Sequence, residues 1–129
     1  MAANVSACIA VVDRKVFLAR RAPGQKLEGY WEFPGGKQEV GETIQECLER
    51  EIREEFDMLA QAGDVFVESL YDYPGGQINL IGVYAVLPST PPTLTVHDRA
   101  EWVPIGELME FQLAPADIPI AREVIRHHL

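Results

Sequence analysis

A regular spacing of apolar residues marks one long helix in this chain. The sequence predicts the helix over residues 42–58, because an apolar residue recurs every four positions and so forms a single stripe along it. The residues of this stripe are Ile44, Leu48, Ile52 and Phe56. Thr43 and Glu46 lie three positions apart at the start of the helix, which is the spacing of a capping box. The fold therefore has to bury one face of this helix and leave the other in water.

Three glutamates, Glu51, Glu54 and Glu55, lie at the edge of that stripe. At about 100° per residue they fall within about 100° of one another on the helix. Like charges at these spacings repel by roughly 0.2–0.5 kcal/mol per exposed pair, and by more where water is scarce. Arg50 can relieve part of this repulsion through Glu54, and Mg²⁺ would relieve more because it prefers carboxylate oxygens. The cluster indicates a magnesium site, and a solvated acidic face is the alternative.

Strands are predicted on both sides of the helix. The predicted strands are 5–12, 16–19, 31–33, 65–73, 77–87 and 101–104. A helical turn over 105–110 and a second helix over 116–128 complete the chain. This order indicates an α/β (α+β) fold, in which a mixed sheet packs between helices. A length of 129 residues suits one domain, residues 1–129.

The composition limits the partners that we expect. A net charge of -9 argues against binding to a nucleic-acid polymer, which would need a basic stripe. No apolar stretch approaches the roughly 20 residues of a membrane span. Cys8 and Cys47 form no disulfide framework, and we expect both to be reduced and buried in a cytoplasmic protein. The chain is expected to act as a monomer or a homodimer on a small molecule.

The helix and the loop before it carry a motif with fixed spacing. Residues 36–58 resemble the Nudix box, G-x5-E-x7-R-E-U-x-E-E-x-G-U, in which U is a bulky aliphatic residue. Six fixed glycine or charged positions match, and a chance match in this chain is on the order of one in 100,000. Asp57 stands where the box has glycine. Because aspartate tolerates a left-handed backbone better than most residues, we expect the helix to end there with its chemistry intact.

The resemblance implies an α/β/α sandwich and a reaction that depends on Mg²⁺, with Mn²⁺ as a second possible cation. The residues that it places at the metal are Gly35, Glu51, Glu54 and Glu55. Glu42 and Arg50 are expected to orient these ligands, since an arginine can fix a carboxylate through paired hydrogen bonds. Glu42, Arg50, Glu51 and Glu54 are thus the catalytic residues that the box implies. Clustered magnesium would neutralise a diphosphate and activate a water molecule.

The residue expected as the catalytic base is absent from its usual place. Relatives of the MutT type carry a glutamate six positions before the tryptophan that opens the last strand. Here that tryptophan is Trp102, and the sixth position back is Val96. We expect Asp98 to act as the replacement ligand or base, with His97 and Glu101 as further polar candidates. The alternative is that all three are ordinary loop charges.

Two further runs, residues 31–37 and 113–119, resemble the MutT branch of the family, which includes 8-oxo-dGTP diphosphatases and CTP pyrophosphohydrolases. The resemblance implies that Phe33 lines a base pocket, that Asp117 hydrogen-bonds the base and that Arg21 lies near the phosphates or the sugar. Each residue has a structural alternative. Phe33 can be plain core, Asp117 can cap the last helix, and Arg21 can be a hairpin-end charge.

The expected function is hydrolysis of a nucleoside triphosphate, including an oxidised or modified one, to the monophosphate and pyrophosphate. ADP-ribose or another compound linked through a nucleoside diphosphate is the main rival substrate. A Nudix module that binds a nucleotide without turning it over is the alternative outside the enzyme class. The sequence leaves these alternatives open.

Overall fold

A computed structural model describes residues 2–129 of the chain. The strands within this range are β1 (Ala3–Ile9), β2 (Val11–Val12), β3 (Lys15–Arg21), β4 (Trp31–Glu32), β5 (Gln61–Tyr73), β6 (Gly76–Val86) and β7 (His97–Pro104). The helices are α1 (Ile44–Phe56), a 3-10 helix (Ile105–Glu110) and α2 (Asp117–His128). No helix in the described range is both long enough and apolar enough to cross a membrane.

The strands form two sheets. In the first, β6 lies between β1, with which it is parallel, and β5, with which it is antiparallel. In the second, β3 pairs in antiparallel fashion with β2, β4 and β7. The predicted mixed sheet is confirmed, and an antiparallel sheet lies beside it. The single strand predicted over 5–12 is divided at Ala10, because its first part pairs with β6 and its second part with β3.

The last strand is longer than its apolar residues indicated. β7 begins at His97 rather than at position 101, because its backbone pairs with β3 along Lys15–Arg21. The residues Asp98 and Arg99 carry no apolar signal, so only this pairing reveals them as strand. The sheet brings His97 beside Arg21, with a register shift between Arg20 and Arg21.

Helix α1 begins and ends as its local sequence indicated. The capping box is present: Thr43 Oγ1 accepts from the Glu46 backbone N–H at 3.0 Å, and Glu46 Oε1 accepts from the Thr43 N–H at 2.9 Å. Asp57 ends the helix in the left-handed conformation, with φ 53° and ψ 42°. Its backbone N–H donates to the Arg53 carbonyl at 3.0 Å. The departure from glycine at position 57 therefore leaves the helix end intact.

Alternate residues of β1 belong to two different cores. Ala7 and Ile9 pack in the cluster that contains the buried residues of α2, whereas Cys8 and Ala10 pack in the cluster that contains those of α1. Because neighbouring side chains of a strand point to opposite faces, the two helices cover opposite sides of β1. This arrangement is the predicted helix–sheet–helix sandwich. Cys8 and Cys47 are both free and buried, and burial raises the pKa of Cys8 to about 12.

Candidate active site

Arg50 forms hydrogen bonds with a carboxylate before α1 and with two carboxylates on it. Its Nε and Nη2 donate to the two carboxylate oxygens of Glu42, at 3.0 and 2.8 Å. Its Nη1 donates to Glu51 at 2.9 Å and to Glu54 at 3.2 Å, and Nη2 also reaches the Lys37 carbonyl at 3.1 Å. The hydrogen bonds from Arg50 lower the pKa of Glu42 to about 2. The guanidinium of Arg50 thus contacts three other residues of the motif, which are Glu42, Glu51 and Glu54.

Glu55 differs from its neighbours because it has no cationic partner. Its Oε1 is buried and accepts no hydrogen bond from any residue in 2–129. Burial, and then the nearby charge of Glu32, raises the pKa of Glu55 to about 8. Burial also raises the pKa of Glu51, although Arg50 opposes that shift. Glu54 remains exposed. The three glutamates therefore range from exposed to largely buried along just over one turn of helix.

The two glycines before α1, Gly35 and Gly36, allow the loop to lie close to both β1 and α1. A Cβ atom at Gly36 would overlap the carboxyl group of Glu51, and one at Gly35 would overlap the backbone of Ser6. The Gly36 carbonyl accepts from the Ser6 backbone N–H at 2.8 Å and from Cys47 Sγ at 3.3 Å. A side chain at position 35 would displace the loop from β1, and one at position 36 would displace the carboxyl group of Glu51.

The donor set of this region fits a hard divalent cation. Its side-chain donors are carboxylate oxygens, which Mg²⁺ and Mn²⁺ bind readily. Within residues 2–129, no three acidic, histidine or cysteine side chains already converge closely enough to hold a metal ion. Arg50 Nη1 instead contacts both Glu51 and Glu54. The unpartnered Oε1 of Glu55 is the oxygen that a cation would satisfy best.

A cavity of about 110 Å³ lies beside Gly35, which is one of its lining residues. Phe33, Tyr73, Ile78 and Asp117 also line it. Phe33 is buried and also faces this cavity, so it belongs to the core and to the lining at once. Asp117 Oδ2 accepts from the Phe33 backbone N–H at 2.8 Å. Burial, and then Glu32, raises the pKa of Asp117 well above its usual range. The Asp117 side chain makes no capping bond to α2, so the capping alternative is wrong.

Glu32 lies between the glutamates and the cavity, and the sequence did not single it out. Its charge raises the pKa of both Glu55 and Asp117. Its Oε2 accepts from His97 Nε2 at 2.7 Å and from Arg21 Nη1 at 3.4 Å. The available signal was its position in the predicted strand 31–33, as a charged residue next to Phe33 and three positions before Gly35.

The remaining predicted residues, Arg21 and Asp98, both lie near the start of β7 but have different partners. Arg21 lies beside Glu32, and its Nε donates to the Lys26 carbonyl at 3.1 Å. Asp98 instead accepts two hydrogen bonds from Arg20, at 2.8 and 2.9 Å, and those bonds lower its pKa. Among residues 2–129, the side chain of Asp98 bonds to none of the α1 glutamates. The segment before it is nevertheless tied to α1, since Thr95 Oγ1 donates to the Glu55 carbonyl at 2.9 Å.

The fold and this arrangement of carboxylates define a class of protein. The chain belongs to the Nudix family, whose NUDIX domain pattern matches residues 2–127. It falls in the MutT-like branch of that family and is a hydrolase of phosphorus-containing acid anhydrides.

Individual relatives support the placement. The chain is 35% identical over 119 residues to the CTP pyrophosphohydrolase of Escherichia coli, covering 91% of this chain and 87% of that protein. It is 28% identical over 114 residues to the 8-oxo-dGTP diphosphatase of Escherichia coli, covering 88% of each. The solution structure of the E. coli ORF135 protein superposes with a TM-score of 0.82 at 31% identity, covering 96% of this chain and 89% of that one.

Proposed function

We propose that this enzyme hydrolyses a nucleoside triphosphate to the monophosphate and pyrophosphate with the help of Mg²⁺. The observation that carries this proposal is the position of Glu32, whose charge acts on Glu55 at one end and on Asp117 at the other. Glu32 lines the cavity and is also close enough to Glu55 for its charge to act there, so the α1 glutamates and the cavity are neighbours. A substrate with phosphates at one end and a base at the other matches this pair of neighbouring sites.

The phosphate end is assigned to the α1 side. Glu51, Glu54 and Glu55, with the carbonyl of Gly35, would hold Mg²⁺, and Mn²⁺ suits the same oxygen donors. When bound, the cation supplies charge neutralisation at the diphosphate and lowers the pKa of a water molecule. Arg50 holds Glu51 and Glu54 from one direction and is itself held by both oxygens of Glu42. Paired bonds of this kind restrict rotation of the arginine, so its contribution is to orient the ligands.

The base end is assigned to the cavity. At about 110 Å³ it is smaller than the roughly 300–1,000 Å³ of a site that encloses a whole drug-sized ligand, so it suits a single ring system. Phe33 supplies an apolar wall, while Asp117 supplies the polar group. Because burial favours the protonated form of Asp117, its carboxyl group can donate to a base as well as accept from it. Arg21 lies between the two ends, where the sugar and the first phosphate would run.

The named relatives favour two bases. Their names specify CTP and 8-oxo-dGTP, and the similarity to both covers about nine-tenths of this chain. We therefore propose a cytosine nucleotide or an oxidised guanine nucleotide as the substrate, acted on in the cytoplasm by a monomer or a homodimer.

Asp98 is proposed as the base that replaces the missing glutamate at position 96. Its lowered pKa keeps the carboxylate ionised, and Arg20 fixes its direction through two hydrogen bonds. The Asp98→Ala enzyme should lose at least about 100-fold in turnover, since general base catalysis contributes roughly 10²–10⁴-fold. Full activity in this variant would transfer the role to Glu101, the other acidic residue of β7.

A pyrophosphate-release screen tests the proposed reaction. The purified enzyme is incubated with Mg²⁺, and separately with Mn²⁺, over canonical, oxidised and methylated nucleoside triphosphates and ADP-ribose. The expected result is pyrophosphate together with a nucleoside monophosphate, formed fastest from a cytosine or 8-oxoguanine nucleotide. Faster cleavage of ADP-ribose would make a nucleoside-diphosphate-linked compound the substrate. No product from any triphosphate would refute the proposal.

A further inference from the structure

His97 lies fully buried between the end of α1 and the strand that carries Glu32. Its side chain has no exposed surface. Its ring stacks against Phe56, with 5.0 Å between the ring centroids and 13° between the planes. On its other side, Nε2 lies 2.7 Å from Glu32 Oε2. His97 thus spans the gap between the residue that follows Glu55 and the residue that precedes Phe33.

The hydrogen bonding of His97 is one-sided. Nδ1 is buried and has no hydrogen-bond partner among residues 2–129. Because a carboxylate oxygen accepts, the tautomer that matches Glu32 carries its hydrogen on Nε2. An unpaired buried nitrogen lowers stability, and a phenylalanine would stack on Phe56 without that cost. Packing alone therefore does not account for a histidine here, whereas its bond to Glu32 does.

The bond from His97 determines which oxygen of Glu32 is left for another partner. Both side-chain hydrogen bonds to Glu32, from His97 and from Arg21, end on Oε2. Glu32 is also one of the residues that line the cavity. With Oε2 occupied, Oε1 is the oxygen that remains to accept from a ligand in that cavity, beside Asp117.

Arg21 cannot hold Glu32 in this orientation by itself. Its bond to Oε2 is long, at 3.4 Å, and its Nε is engaged by the Lys26 carbonyl. The bond from His97 is much shorter, and its donor ring is immobilised by burial and by the stack on Phe56. A rigid donor at short distance restricts a carboxylate more than a long bond from a flexible side chain.

We propose that His97 is a positioning residue for nucleotide selection: it holds Glu32 through Oε2 so that Oε1 accepts a hydrogen bond from the amino or imino N–H of the substrate base. This role rests on the proposed function, because it presumes that a base enters the cavity. It adds Glu32 and His97 to the residues that decide which base is bound. It also connects base selection to α1 through Phe56.

The first test measures binding without metal, so that it is independent of turnover. Calorimetry in EDTA compares CMP, 5-methyl-dCMP, dGMP and 8-oxo-dGMP with the wild type, His97→Phe, His97→Gln and Glu32→Gln. His97→Phe keeps the stack on Phe56 and removes the donor, whereas His97→Gln restores an N–H near the Nε2 position. We expect His97→Phe and Glu32→Gln to weaken the best-bound monophosphate at least tenfold, and His97→Gln to recover most of that loss.

Kinetics and a matched control separate positioning from general damage. The ratio of kcat/KM for the preferred nucleoside triphosphate to that for ribose 5-triphosphate, which lacks a base, should fall about tenfold in His97→Phe. His127→Phe, an exposed histidine of α2, should leave this ratio unchanged. The double variant His97→Phe/Glu32→Gln should lose no more than either single variant, because both remove the same contact.

Three results would overturn the role of His97. The first is an unchanged ranking of monophosphates in a folded His97→Phe variant. The second is an equal loss on ribose 5-triphosphate, which would make the residue structural. The third is equally weak binding of all four monophosphates by the wild type. If His97→Phe does not fold, the comparison of Glu32→Gln with His97→Gln decides the same question. The proposed function fails separately, when the wild type releases no pyrophosphate from any nucleoside triphosphate.

Discussion

The two ends of the site are built in different ways. At the α1 end, three acidic residues within thirteen positions of the chain share one guanidinium, and these are Glu42, Glu51 and Glu54. At the cavity end, Glu32 is held by His97 across 65 positions, and Asp117 by Phe33 across 84. The first region is mostly partnered by Arg50 and partly solvated. The second is largely buried: Glu32 accepts from His97 and Arg21, and Asp117 accepts from the Phe33 backbone.

This difference has a consequence for charge. Arg50 lowers the pKa of Glu42, whereas burial raises the pKa of Asp117 and of Glu55, the one box glutamate without a cation beside it. The guanidinium lowers the pKa of Glu42 and opposes the effect of burial on the pKa of Glu51. Burial favours the protonated form of Asp117, which can donate to a base. The same residue type thus serves two tasks because its surroundings differ.

The largest effect on turnover is expected from loss of a carboxylate at the α1 end. Glu54→Gln or Glu55→Gln should lower turnover by at least ~10³, which corresponds to about 4 kcal/mol of transition-state stabilisation. The measurement is pyrophosphate release at saturating Mg²⁺. Glu107→Gln, on the exposed face of the 3-10 helix, is the matched control and should behave as the wild type. A near-normal rate in either variant would remove that residue from the metal site.

A second effect appears as a pH dependence of stability in the metal-free protein. Glu55 has a pKa near 4.5 when unfolded and about 8 when folded, so the folded state binds the proton more tightly. Its contribution to the free energy of unfolding is complete below pH 4.5 and is lost as the pH rises through 8. We expect the free energy of unfolding in EDTA to fall by about 2–4 kcal/mol over this window.

Urea unfolding at pH 5 and pH 8 measures this change. Glu55→Gln should match the wild type at pH 5 and exceed its stability at pH 8, while Glu51 and Asp117 leave a smaller slope of the same sign. Adding Mg²⁺ should restore the wild type at pH 8, because a cation replaces the proton. Equal slopes for wild type and variant would show that Glu55 is not the titrating group.

A substitution at the cavity end should change the preference among nucleotides more than the rate of hydrolysis. Asp117→Asn keeps an oxygen for the Phe33 N–H but removes the acidic proton. We expect the ratio of kcat/KM between two nucleotides to change at least ~10-fold, or about 1.4 kcal/mol, with less than ~3-fold change on ribose 5-triphosphate. The exposed Asp64→Asn serves as the control. An unchanged ranking would limit Asp117 to a structural bond with Phe33.

The smallest effect concerns the helix end. Asp57→Gly removes a side chain from a left-handed position and should stabilise the protein by about 1 kcal/mol or less. It should leave kcat/KM unchanged, because the cap lies outside the carboxylate cluster. Thermal unfolding together with the pyrophosphate assay checks both statements. A loss of activity would mean that Asp57 does more than end α1.

The sequence predicted the α1 end of the site closely and the cavity end only in part. The capping box and the contact between Arg50 and Glu54 follow from spacings of a few residues, which a helix converts directly into proximity. The helix end at Asp57 and the orienting roles of Arg50 and Glu42 were expected from the resemblance. Phe33 and Asp117 came only from resemblance. Glu32 was missed because a single glutamate in a two-residue strand has no pattern of its own.

The sequence by itself determined the family, the helix that carries the glutamates and the residues able to hold a cation, because those features depend on local order along the chain. The tertiary structure alone decided that Glu32 joins the two ends, that His97 holds it and that Asp117 is buried against Phe33. These contacts exist only after β3 pairs with β7 and β4, and α2 packs beneath them. A carboxyl group's surroundings, and therefore its pKa, are settled by that packing and not by its neighbours in sequence.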